Sequence, residues 1–153
     1  MGALQIAHWF INRARLDEDM NGGDKLSLLK LEKLLYYAEG YSLATTGNSL
    51  YSEKIIAWKH GPVVIEVYET YKQSPFDLPL SDADKADALA LPKKTKDLLE
   101  EVYCYWGEFS AWGLRNQTHK EAPWIDATDN GESFGAEMDR NMIKDYFVKN
   151  YVS

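Results

Sequence analysis

The sequence predicts a mainly α, compact single-domain bundle of about six helices, with a short extended or β segment before a Gly-Pro corner. Three observations predict it. Apolar residues recur at helical spacing through most of the 153 residues, and Gly, Pro or Asn-Gly breaks end the runs. The run that reads as strand, Ile55-Ile56-Ala57-Trp58, has no obvious partner strand elsewhere, so an extended segment packed on helices is the simpler expectation. The length suits one domain over residues 1–153, able to bury roughly 68–70% of its unfolded surface.

Ala3 to Leu16 reads as a first helix, with Leu4, Ala7, Phe10, Ile11 and Ala14 on one face and His8 and Trp9 away from its centre. Asn21-Gly22-Gly23 breaks the chain. Ser27 is placed to cap the next helix. Leu28, Leu31, Leu34, Leu35, Ala38 and Ser42 form its broad apolar face, and Lys30, Glu32, Lys33 and Glu39 are expected on the remainder. Gly40 inside this helix costs about 1 kcal/mol relative to alanine, which points to close approach of another element. Gly47 suits a left-handed cap.

Trp58-Lys59-His60-Gly61-Pro62-Val63-Val64 then joins the extended run to a helix. A proline at a first helical turn loses no hydrogen bond, so the helix is expected to start at Pro62 and run to about Lys72. Gln73 to Leu80, with Pro75 and Pro79, is irregular; Ser81 to Leu91 is a short helix capped by Ser81 or a loop. Pro92 to about Phe109 is a long helix with Leu98, Leu99, Val102, Tyr103, Trp106 and Phe109 as its apolar set. Ser110 caps Ala111 to Gln117. Thr118 to Trp124 is a polar corner before an aromatic anchor, and Asp129-Asn130-Gly131 is a loop. A final helix places Met142, Ile143, Tyr146, Phe147 and Tyr151 on one face.

Asp and Glu number 24 against 17 Lys and Arg, a formal net charge of −7. Affinity for nucleic acid begins with a basic footprint, so direct nucleic-acid binding is disfavoured and a basic protein partner fits better. No stretch approaches a membrane span and no secretory signal is visible, so the expected compartment is the cytoplasm. Cys104, the only cysteine, lies among aromatics and reads as a small buried thiol.

Three segments together resemble the Panacea-domain family, which includes phage-associated proteins of the GepA type and SocA-like antitoxins. They are Lys30-Leu31-Glu32-Lys33-Leu34-Leu35-Tyr36-Tyr37-Ala38-Glu39-Gly40, the run Ala57 to Tyr68 around His60-Gly61-Pro62-Val63-Val64, and Ser110-Ala111-Trp112 followed by Thr118 to Trp124. The resemblance implies an antitoxin-like protein-binding module that neutralises a cognate toxin. In the SocA-like case it also implies an adaptor that hands the toxin to a protease. It implies no catalytic residues and no cofactor.

The residues offer little chemistry of their own. His8, His60 and His119 lack zinc-ligand spacing, and no phosphate-binding or nucleophile motif is present. His60 and His119 meeting in space, with Glu66 or Glu121, would make an acid–base or metal site; this is the alternative reading, a phage or mobile-element enzyme. The expected partner-binding residues are Trp58, His60, Glu66, Glu69, His119 and Trp124. Glu66 and Glu69 would supply acidic contacts to a basic toxin, and the two tryptophans would orient the turns.

Overall fold

The computed structural model describes residues 1–152. In chain order it runs α1 (Ala3–Asn21), α2 (Leu28–Thr46), β1 (Ile55–Trp58), β2 (Gly61–Val64), α3 (Ile65–Tyr71), α4 (Asp82–Leu89), α5 (Lys93–Trp106), α6 (Ala111–Thr118), α7 (Ala122–Ala127) and α8 (Arg140–Asn150). The expected mainly α architecture is present, with eight helices among the described residues rather than about six. No helix there is long and apolar enough to cross a membrane.

Helix α2 is central. Ser27 accepts a hydrogen bond from the Lys30 amide at its start, and Gly47, at φ +79°, ends it. The helices α1, α3, α5, α6 and α8 and the strand β2 all pack on it. Leu31, Leu34, Leu35 and Ala38 are fully buried, as their spacing predicts. Glu32, Lys33 and Glu39 are buried too, against expectation. A helix enclosed by neighbours has no solvent face to give its polar residues, so these must find partners inside.

Helix α1 passes the expected end at Leu16 and runs to Asn21, where Gly22 at φ +68° closes it. Its last turn is exposed; one turn earlier, Asp17 bonds Arg13 along the helix and Tyr103 across on α5. Ser81 forms a capping box with Asp84, so the ambiguous segment after Pro79 is helix α4. The polar corner before Trp124 is followed at once by a short helix, α7, with Pro123 in its first turn. Cys104 is exposed, not buried. The buried stripe of α5 passes through Leu99, Val102 and Trp106, and position 104 lies off it.

The Gly-Pro corner is strand, not the first turn of a helix. β1 and β2 form an antiparallel hairpin in which Ala57 faces Pro62 and Trp58 faces Gly61. The Pro62 carbonyl points away from β1, so its ring nitrogen does as well, and the absent N–H removes no ladder bond. The partner that β1 needed is therefore the segment directly after it. On its other edge, the Ala57 amide donates to the Ala136 carbonyl and the Met138 amide to the Ile55 carbonyl.

Candidate functional site

The outward edge of β2 is held by side chains of α2. Lys33 Nζ donates to the Pro62 carbonyl at 2.7 Å, and the Val64 amide donates to Glu32 Oε2 at 2.5 Å. Adjacent residues of one helix thus satisfy the two groups that β2 turns away from its hairpin partner. Gly61 directly precedes them at φ +111°, where a Cβ would lie 2.7 Å from Lys33 Cε and 2.9 Å from Thr118 Oγ1. Only glycine fits that position. Burial raises the Glu32 carboxyl well above its ordinary range and lowers the Lys33 ammonium, each tempered by the other's charge.

One helical turn further along, Tyr36 and Tyr37 donate to Glu121 at 2.9 and 3.1 Å, and Tyr151 donates to the same carboxylate at 2.5 Å. Burial pushes the Glu121 carboxyl up, and the Tyr151 and Tyr36 hydroxyls oppose that shift. Next, Glu39 accepts from the Leu50 amide and pairs with Arg140 at 2.5 Å. Arg140 also donates to the Tyr51 and Glu53 carbonyls, fixing the start of α8 against the loop that follows α2. Finally, Trp124 Nε1 donates to the Trp58 carbonyl at 2.9 Å.

The three signature segments are therefore tied pairwise: the first to the second through Lys33 and Glu32, the first to the third through Glu121, the third to the second through Trp124. These residues specify an interior. They are spent on one another and leave few groups for a partner.

The six residues expected to bind a partner separate accordingly. Trp124 is buried, with His119 stacked on its ring at 3.9 Å. Trp58 is half-buried against Tyr68. Glu66 and Glu69 are exposed on α3, where Glu69 pairs with Lys72. His60 is exposed at the hairpin turn; it receives a hydrogen bond from Arg115 Nε at 3.3 Å and lies 5.8 Å from the Trp112 ring.

His60 and His119 share one neighbourhood without bonding each other. Burial lowers both imidazoles, and Arg115 lowers both further. Among the described residues, no group of three His, Cys, Asp or Glu side chains is placed to hold a metal ion. Burial outweighs the Lys59 backbone contact that favours the charged ring, so protonating His119 places a poorly solvated charge against Trp124. A depressed histidine stabilises the fold above its unfolded value of about 6.5, and that contribution is lost as pH falls through the folded value. Comparing urea midpoints at pH 7.5 and 5.5 checks this. The wild type should lose more stability over that interval than His119→Phe, because the two differ in this one titration. Equal losses would refute it.

Sequence patterns miss an exposed aromatic surface. Tyr105 and Phe109, their rings 6.4 Å apart, and Trp112 are each roughly half exposed where α5 meets α6, with the Arg115 guanidinium 4.5 Å over Trp112. The periodicity of α5 assigns Phe109 to the core face, but the helix stops at Trp106 and the turn carries Phe109 outwards. The signal that points to this surface is local: Gly107 ends one helix and Ser110 caps the next, so Glu108 and Phe109 between them lie on neither helical face. In α6, Leu114 and Thr118 face the core, which turns Trp112 out.

A family model described as "Antitoxin SocA-like, Panacea domain" matches residues 31–125, which takes in all three segments of the network except Lys30. The curated relative named Antitoxin SocA, from Caulobacter vibrioides (strain NA1000 / CB15N), is 32% identical over 136 residues, covering 80% of this chain and 72% of its own. No solved structure matches.

Proposed function

The chain belongs to the SocA-like, Panacea-domain family, and from that premise we propose that it is an antitoxin that neutralises a toxin protein encoded beside it by binding it. The observation that carries the reading is the division of labour among its residues. The family signature builds the interior, while Tyr105, Phe109 and Trp112 stand on the surface with His60 and Arg115 at their edge. Solvent-exposed tryptophan and tyrosine beside arginine is the composition that anchors protein interfaces. The charge of −7 favours a basic partner. Delivery of the captured toxin to a protease is a further step of the same proposal.

Co-expression with the adjacent gene tests it. The neighbour should arrest growth alone, and this protein should restore growth. The paired substitution Phe109→Ala and Trp112→Ala should abolish rescue with the circular dichroism spectrum unchanged, since both rings lie outside the core. A harmless neighbour, or one that still kills when this protein is abundant, removes the reading. Glu66→Lys with Glu69→Lys tests the acidic face of α3 in the same assay. For the delivery step, the toxin's half-life should shorten when this protein is present.

A further inference from the structure

Two cavities meet at Phe109. One, about 210 Å³, is floored by Trp106 and Leu114 and rimmed by Tyr105, Phe109 and Tyr151. The other, about 460 Å³, opens between the α1–α2 loop and the α5–α6 turn, and it is lined by Asp17, Asp24, Lys30, Glu108 and Phe109 among others. The first is apolar and aromatic at its floor. The second is charged, and its charges are unevenly satisfied.

Lys30 Nζ donates to the Gly107 carbonyl at 2.6 Å and is half-buried, so it is committed to holding the turn. Lys25 is drawn off to Asp77. Asp17 is taken by Arg13 and by the Tyr103 hydroxyl. Asp24 and Glu108 are exposed and form no ion pair among the described residues. The result is an apolar hollow on one side of an exposed phenylalanine and, on the other, two carboxylates without an ion pair, Asp24 within electrostatic reach of the Lys30 ammonium.

We propose that this groove takes one segment of the partner protein, an apolar side chain entering the hollow beside Phe109 and a lysine or arginine reaching Asp24 and Glu108. The assignment rests on the partner-binding reading and names the chemistry of its contact. The complementarity selects the occupant. A second copy of this acidic chain would bring like charge to the rim, whereas a basic segment pairs with both carboxylates while its neighbour fills the aromatic hollow. Phe109, shared by both halves, is the central anchor, and the rim carboxylates set rate and salt dependence.

The test measures affinity of the purified adjacent-gene product for the full chain by calorimetry. Phe109→Asp should weaken binding by about tenfold or more. Asp24→Lys with Glu108→Lys should weaken it and flatten the loss of affinity that the wild type shows as salt rises. All three positions are exposed, so melting temperatures should stay near wild type. Wild-type binding that survives both groove variants overturns the groove and leaves the antitoxin reading standing. No binding by the wild type overturns the antitoxin reading and the groove's occupant with it.

Discussion

Glu121→Ala is expected to destabilise the protein by about 3–5 kcal/mol, measured as a fall in the urea unfolding free energy. The carboxylate is fully buried and accepts from three tyrosine hydroxyls and Gln117. Removing it leaves Tyr36 and Tyr37 with buried hydroxyls and no acceptor, at about 1–3 kcal/mol each. Tyr151 is half-buried and can turn to water, so it adds less. The same reasoning predicts recovery. Glu121→Leu combined with Tyr36→Phe and Tyr37→Phe removes both sides of the network and should regain much of the loss, so the effects should be strongly non-additive. A Glu121→Ala protein within about 1 kcal/mol of wild type would show that the network is not what joins the first and third segments.

Gly40→Ala should cost about 3 kcal/mol or more, although alanine is the better helix former by about 1 kcal/mol. A Cβ at position 40 would sit 2.4 Å from two carbons of the Phe147 ring. That ring is fully buried among Tyr36, Tyr37, Trp106 and Tyr151, so it has nowhere to go. The contact is where α8 closes on α2. Adding Phe147→Leu should return part of the loss, and urea titration of the single and double variants measures the coupling. If Gly40→Ala folds as stably as wild type, α8 does not pack on α2 at that distance.

The close approach at Gly40 was legible in the sequence, because a glycine inside a strong helix pattern sacrifices helix stability and a tight crossing is what offsets that cost. So were the caps at Ser27 and Ser110, and at Ser81 as one of two readings; their side chains act on amides three residues away. The second strand was not. Gly61-Pro62-Val63-Val64 satisfies the local rules for a helix start and for an edge strand equally well. What decides between them is Lys33 and Glu32, some thirty residues earlier, waiting for the Pro62 carbonyl and the Val64 amide. The buried charges were hidden for the same reason. Glu32, Lys33 and Glu39 look like a solvated face until the other helices, the hairpin and Arg140 enclose it.

The candidate surface shows the same limit. Of the residues expected to meet a partner, Trp124 is taken by the Trp58 carbonyl and the His119 ring, while His60 stands beside Trp112 at the edge of an aromatic group that no periodicity picked out. By itself the sequence determined the helical class, the helix caps and the family, because those reside in spacing and residue type over short stretches. Only the tertiary structure decided which polar residues are interior and which aromatics face outwards, because burial is set by chain segments distant in sequence, and a residue's partner there is invisible to its neighbours.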